Sequence, residues 1–583
     1  MNKKIYKLPV IMLACLLASC GEAPEKNQSD KDISLVKQDY RSRPIQDDLF
    51  YFVMTDRFSN GDPGNDHGSP DQPVFSGGFD PTSDRKFHGG DLKGLMNKLD
   101  YIKGLGVTAL WMTPFMGNKV LQGDVAGYHG YWIVDFLGVD PHLGSKQDLK
   151  DLIAAAHERD IKVFFDIVVN HTGDVVKYKE CHHPDGSRND QECSYKSQAE
   201  MKQGDPYTPF IPAGEENVKN PAWLNDLANY SNRGDSLFRG ESVLHGDFAG
   251  LDDIKTADPG VRAGLIEIFK SLISEYKPDG FRIDTAKFVR LDFWQEFSPI
   301  ISQHARSEGI ENFHFFGEAE IHEPQALSQY TTEGMLPSVL DFPFQDAMEE
   351  VFAGKGGTNI LKSLFDQDHY YRDQDSNASM LMTYIGNHDD GRFGYFVNRD
   401  LPDASEEEKL ERVKLAHAFM YFARGVPILY YGAEQGFTGG GLYEGSREDM
   451  MPSQVARYHQ YDLLGTDKNV ADDNFDVNHP LYQTFKAYAE IYHENRALRH
   501  GDHKTLYASD KPGIYAFSRT DEKSGQALML LFNISPEMKT ARFAAPNPHY
   551  RALGDNKALN ADADQTLSVS VPPLSFTIYQ AVK

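Results

Sequence analysis

Val261-Arg-Ala-Gly-Leu-Ile-Glu-Ile-Phe-Lys-Ser-Leu-Ile-Ser-Glu-Tyr276, followed by Asp279-Gly-Phe-Arg-Ile-Asp284, decides the fold. The first stretch has the apolar spacing of an amphipathic helix; the second is a short strand that ends on charge. The same unit recurs. Strand-like runs occupy Leu49 to Met54, Val107 to Met112, Ile161 to Val168, Gly280 to Asp284, Phe313 to Gly317, Ser338 to Phe342, Met380 to Ile385 and Pro427 to Tyr431. Helical patterns such as Lys146 to Arg159 and Glu406 to Phe422 fill the gaps. Eight strands alternating with helices predict an α/β fold, a parallel (β/α)8 barrel.

Two interruptions set the domain plan. From residue 172 to 253 the pattern turns irregular and rich in Asp, Asn, Gly and Pro, which reads as a small inserted domain after strand three. From 500 to 583, alternating runs at Gly513 to Phe517, Ala527 to Phe532 and Leu574 to Tyr579 predict a C-terminal antiparallel β-sandwich. The barrel itself would occupy residues 46–171 and 254–499.

The N-terminus reads as a targeting segment. Lys3, Lys4 and Lys7 precede the apolar run Leu8 to Leu17, too short to span a bilayer but right for a signal peptide over residues 1–19. The run ends Leu17-Ala-Ser-Cys20-Gly21, which resembles a bacterial lipobox. That resemblance implies a lipid on Cys20, a tether over residues 20–45, and an exported lipoprotein of the cell envelope, on the outer membrane if the source is Gram-negative. The net charge of −27 argues against a nucleic-acid partner. Cys181 and Cys193 flank His182-His183-Pro-Asp-Gly-Ser. An exported chain favours a disulfide there; the other use is a zinc site with His182 and His183.

Charged residues end several of the predicted strands. In a barrel of this kind the active site lies at the carboxyl ends of the strands. Asp166 and His171 flank the end of strand three, Asp284 ends strand four, Glu318 ends strand five, and His388-Asp389 follow strand seven. Arg282 and Asp284 share one strand face, since strand side chains alternate. Paired carboxylates in opposed protonation states are what glycosidic bond cleavage needs.

Asp166-Ile-Val-Val-Asn170-His171, Gly280-Phe-Arg282-Ile-Asp284, Gly317-Glu318 and Asn387-His388-Asp389 resemble, in order, the four signature regions of the α-amylase family of glycoside hydrolases. The likeness includes Tyr128-His129-Gly-Tyr131-Trp132 and Gly425-Val-Pro-Ile-Leu-Tyr-Tyr-Gly432. It implies a retaining hydrolase of internal α-1,4 bonds in starch-derived glucans, monomeric, with Asp284 as nucleophile, Glu318 as acid and then base, and Asp389 holding sugar hydroxyls. Tyr128, His129, Tyr131, Asp166, His171, Arg282, Lys287, His388 and Arg392 would serve the substrate. The catalytic carboxyls of a retaining enzyme stand about 5–5.5 Å apart.

Structural calcium follows from the same reading. Asn60-Gly-Asp62-Pro-Gly-Asn65-Asp66, with Gly89 and Asp91, is an oxygen-rich turn that suits Ca2+ and resembles a calcium loop of cyclodextrin glucanotransferases. Asn170 and Asp253 resemble the family's site between barrel and insert.

Two departures bear on specificity. Lys287 is followed by Phe288 where the family often has histidine, and Ala249 stands where cyclising members carry a bulky aromatic. With one β-domain after the barrel, this favours hydrolysis over cyclisation. Neopullulanase- or cyclomaltodextrinase-type activity and transglycosylation are the rival enzyme readings; a non-catalytic glucan-binding lipoprotein is the remote one.

Overall fold

The computed structural model describes residues 39–554 and 556–582. The proposed signal peptide and Cys20 lie outside them. Eight parallel strands form the barrel: β1 (Phe50–Val53), β2 (Ala109–Met112), β3 (Lys162–Val168), β4 (Gly280–Asp284), β5 (His314–Gly317), β6 (Ser338–Val339), β7 (Met382–Thr383) and β8 (Val426–Tyr430). Their hydrogen-bonded order is β6-β5-β4-β3-β2-β1-β8-β7. A parallel bridge from Leu340 to Met382 joins the two ends.

The strands form where continuous apolar runs can be buried on both faces, as parallel sheets require. All seven residues of β3 are buried. Rings fill the barrel interior. Phe52 stacks on Trp111 at 3.7 Å, Phe50 meets Phe164 edge-on at 4.7 Å, and Trp111 meets Phe316 at 5.6 Å. Much of the chain's aromatic content is therefore core.

Helices start where their caps say they should. In α1 (Lys146–Glu158), Ser145 and Asp148 form a capping box. In α2 (Pro259–Tyr276), Asp258 caps a proline-led first turn, and Leu265, Phe269, Leu272 and Tyr276 face the core. Two expected strands prove less than half as long as the apolar runs suggested. Asp341 accepts a hydrogen bond from the Phe344 amide and caps a helix over Phe342–Met348, so Phe342 belongs to that helix and not to β6. Met380 ends a 3-10 turn and not the start of β7.

The tether expected to reach residue 45 ends earlier. Tyr40 lies 5.0 Å from the His157 ring, the Arg41 carbonyl accepts from Asn312, and Ile45 is buried. Asp47 pairs with Arg499 and His500.

The insert leaves the barrel through a two-residue stem, His171–Thr172 antiparallel to Asp252–Asp253. Asp252 organises its base. Its carboxylate accepts from the amides of Val175 and Val176 and from Lys219 Nζ at 2.6 Å. Cys181 and Cys193 are joined by a disulfide, which removes both thiols from any zinc site.

The C-terminal unit stacks a six-stranded antiparallel sheet on a two-stranded one, Lys539–Ala544 with Thr566–Val571. Ile514, Met529, Leu531, Phe543 and Leu567 are buried between them. Alternation sends Phe517 and Phe532 to the opposite face, where Phe419 of the barrel helix Glu406–Phe422 packs against them.

Candidate active site

Strand register builds the centre of the site. In the parallel pair β3–β4, Asp166 stands directly opposite Arg282. Asp284 lies two residues on, on the same face. The Arg282 guanidinium, wholly buried, reaches Asp166 Oδ1 at 2.8 Å and Asp284 Oδ1 at 2.7 Å through Nη1. Its Nη2 reaches Glu318 Oε1 at 2.7 Å from the end of β5. One cation thus holds three carboxyls in fixed positions, which the planar fork of arginine allows.

Thr285, directly after Asp284, adopts a left-handed backbone with φ 48°. This non-glycine strain turns its amide to donate to Glu318 Oε2 at 3.0 Å. Glu318 is pushed well above the usual carboxylate range by burial, with Asp284 and Asp389 adding to the rise and Arg282 opposing it. That suits a proton donor. Asp389 is moved the other way: burial raises it, but His388, Arg447 and Arg282 outweigh burial and hold it low.

Asp166 lies behind the cleft. Burial pushes it up to about 7 against the pull of Arg282, and it also accepts from Trp111 Nε1 and the Tyr131 hydroxyl, each at 3.0 Å. It positions Arg282 and Tyr131. Tyr131 stacks between His129 and His388, with centroids 5.7 and 5.5 Å away. Burial depresses His129, His171 and His388, the last to about 3. Neutral imidazoles can both donate to and accept from sugar hydroxyls.

These groups surround a cleft of about 290 Å³, lined by His129, Tyr131, His171, Asp284, Lys287, Glu318 and Asp389 among others. Of the expected substrate residues, Tyr128, Asp166, Arg282 and His388 sit behind these, and Arg392 is elsewhere. Arg392 is buried against Glu448 and the Tyr431 carbonyl and lines a separate internal cavity. The expectation that it touches sugar is corrected.

The arginine at the cleft is Arg447. It donates to Asp389 Oδ1 at 2.8 Å, to the His388 carbonyl at 2.9 Å and to the Tyr128 hydroxyl at 3.0 Å. It lies in a glycine-rich loop without periodicity, so only its charge marked it. Asp390, Glu320 and Tyr443 also line the cleft and were not anticipated.

Ala249 and Phe288 line it as expected, but the wall there is not poor in rings. Phe248 stacks on His171 at 5.5 Å and meets Phe288 edge-on at 4.8 Å, and half-exposed Phe238 packs on both phenylalanines.

The loop expected to hold calcium passes a test of fit in part. Asn60 Oδ1 and Asn65 Oδ1 are buried without hydrogen-bond partners. Burial raises both Asp66 and Asp91. A Cβ on Gly89 would stand 2.7 Å from Asp66 Oδ1 and 2.6 Å from Asn60 Nδ2, so the loop closes tightly on that glycine. Asp62 departs from the expected set: its carboxylate is taken by Lys93 at 2.6 Å and by the Gly64 amide. At the stem, buried Asp253 Oδ2 also lacks a partner, and burial pushes that carboxyl well up. The Asn170 carbonyl accepts from Ile254 beside it.

Residues 52–474 match the family model for the alpha amylase catalytic domain. Over 527 residues, covering 86% of this chain, the sequence is 41% identical to an alpha-amylase of Streptomyces lividans, and the chain spans 57% of that relative's length. An Anoxybacillus alpha-amylase structure superposes with a TM-score of 0.69 at 27% identity, covering 93% of this chain and 99% of that one. CldA, described as a cyclomaltodextrin glucanotransferase with a three-domain ABC distribution, superposes at 0.70 with 26% identity, covering 92% and 99%. Fold, strand-end carboxyls and family model agree: the chain belongs to the α-amylase family of glycoside hydrolases.

Proposed function

We propose that this protein hydrolyses internal α-1,4-glucosidic bonds of starch-type glucans with retention of configuration. The observation that carries this reading is the single guanidinium of Arg282 gripping both Asp284 and Glu318, with Glu318 favoured in its protonated form. Two carboxyls on one guanidinium suit the short separation of a retaining mechanism better than the wider gap an inverting enzyme leaves for water. Asp284 attacks the anomeric carbon while Glu318 protonates the departing oxygen. Glu318, now a carboxylate, then takes a proton from the water that releases the sugar from Asp284. Asp389, held by Arg447 and His388, binds hydroxyls of the distorted ring. Proton NMR of amylose digestion checks this: the first reducing ends should be α-anomers. First products of β configuration, or no cleavage, overturn the reading.

Transfer to a sugar acceptor is the second reading. The Phe238–Phe248–Phe288 cluster favours it by giving the acceptor side an aromatic wall despite Ala249. Domain count does not separate the two, since CldA is described with a three-domain arrangement.

Calcium belongs to the same proposal. Asn60, Asn65, Asp66 and Asp91 would hold one ion, and Asp253 with Asn170 a second at the stem. Its contribution is structural, neutralising buried carboxyls and pinning the insert to the barrel. Chelation with EDTA should lower Tm by several degrees, with recovery on adding Ca2+. An unchanged melting curve, with no metal detected by elemental analysis of the purified protein, rejects it.

In this reading the protein is a monomer, and the lipobox-like Cys20 would carry a lipid that anchors it in the cell envelope. The buried disulfide supports an oxidising compartment.

A further inference from the structure

Arg447 holds Asp389 with all three nitrogens of its guanidinium engaged. Nη2 donates to Asp389 Oδ1 at 2.8 Å, Nε to the His388 carbonyl at 2.9 Å and Nη1 to the Tyr128 hydroxyl oxygen at 3.0 Å. The first two partners belong to the segment being held. Tyr128 comes from the loop after β2, so its hydroxyl ties the guanidinium to another part of the barrel.

Behind Tyr128 stands a second arginine. Arg57 follows β1 in the 3-10 turn Thr55–Arg57, and its guanidinium lies over the Tyr128 ring, 3.8 Å from the centroid. Both residues are buried, Arg57 completely. Asp56 pairs with the charge, and the Asp84 carbonyl accepts from Nη2 at 3.1 Å. The buried Nε has no hydrogen-bond partner among the described residues, so the electron-rich face of the Tyr128 ring helps compensate a cation removed from water.

Arg57 also fixes the chain that carries Arg447. Its carbonyl accepts from the Met450 amide at 2.9 Å, and its Nε stands 3.9 Å from Asp449. Asp449 is in turn held by His88 at 2.6 Å. Segments after β1, β2 and β8 therefore meet in one buried stack, with Arg57 against the ring face and Arg447 at its hydroxyl.

We propose that Arg57 and Tyr128 are positioning residues: the ring braced by Arg57 fixes the Arg447 guanidinium, and through it the carboxylate of Asp389. This rests on the sugar-binding role given to Asp389 above. Neither residue touches sugar. Without the hydroxyl the Arg447 guanidinium is free to turn, and Asp389 loses alignment when the ring distorts. The effect therefore falls on kcat, not on KM.

The test is amylose kinetics of Tyr128→Phe, Arg447→Met and the double variant. Tyr128→Phe keeps the ring on Arg57 and loses only the hydroxyl, so its Tm should stay near that of the wild type. Its kcat should fall about tenfold while KM moves less than about twofold. In the Arg447→Met background the same change should cost less than about twofold, because the hydroxyl acts through that guanidinium. The acid limb of the Tyr128→Phe pH–rate profile should move to higher pH, since a loosened Arg447 holds Asp389 down less firmly. Arg57→Lys keeps the charge but not the flat face on the ring, and should lower kcat in the same way. A Tyr128→Phe rate equal to that of the wild type overturns the brace, and so do independent losses that multiply in the double variant. Wild-type kcat in Arg57→Lys overturns the part given to Arg57. Failure of the α-glucan reading is distinct: the wild type would then release nothing from amylose.

Discussion

Glu318→Gln should lower kcat on amylose by roughly 10²–10⁴-fold, the range that general acid catalysis supplies, with KM moved only a few-fold. The loss should shrink sharply on α-maltosyl fluoride, whose leaving group needs no proton, whereas Asp284→Asn should fail on both substrates. Equal release of reducing sugar by wild type and Glu318→Gln sinks the assignment of the acid. The same carboxyl controls the alkaline limb of the pH–rate profile, because burial, Asp284 and Asp389 raise it and only the protonated form can donate. Removing the charge of Asp389 by Asp389→Asn should move that limb to lower pH.

A stability effect of opposite sign accompanies the loss. The folded Glu318 carboxyl is raised above its ordinary 4.5, so the folded protein binds the proton more tightly than the unfolded chain does. Stability then falls as pH rises from about 4.5 through the raised folded value, because the native state holds the extra proton across that window. Glu318→Gln lacks this penalty. Its Tm should exceed that of the wild type at pH 8 by on the order of a few degrees and converge with it near pH 4. A Tm difference independent of pH contradicts the raised carboxyl.

Arg282→Met should damage the fold itself. Arg282 is the cation on which Asp166, Asp284 and Glu318 converge, all at the top of one barrel. Removing one partner of a buried ionic cluster costs about 3–5 kcal/mol, since the remaining charges have lost both water and counterion. A large fall in Tm, or loss of soluble protein, is expected from thermal unfolding of the purified variant. Arg282→Lys keeps the charge but not the fork that reaches three carboxyls at once, so it should fold and still lose most of its kcat. Asp166→Asn in the Arg282→Met background should recover part of the stability by removing one uncompensated carboxyl. Wild-type stability and rate in Arg282→Met overturn the account of the cluster.

Eight strands, their order and the carboxyls that end them were legible because a parallel strand needs a contiguous buried run and places alternate residues on one face. Asp284, Glu318 and Asp389 converge on one cleft as their motifs implied. The end of β6 was not legible, since Asp341 caps a helix where hydrophobicity alone continued the strand, and neither was the start of β7, where a 3-10 turn over Ala378–Met380 comes first. The end of the tether was missed for a related reason. Residues 39–47 lack periodicity, yet Asp47 finds Arg499 and His500 some 450 positions later.

Local periodicity and charge at strand ends were enough to specify the barrel, the insert, the C-terminal sheets and the carboxyls Asp284, Glu318 and Asp389 at one end of the barrel. Tertiary structure alone decided which arginine serves the cleft. Arg392 and Arg447 are chemically alike and both lie in irregular segments. Only packing buries one against Glu448 and aims the other at Asp389. It also paired Asp62 of the proposed calcium loop with Lys93, and brought Phe238 and Phe248, which lie close to Ala249 in the chain, against Phe288. Each of these depends on side chains far apart in the chain meeting across loops, where no spacing rule connects sequence position to place.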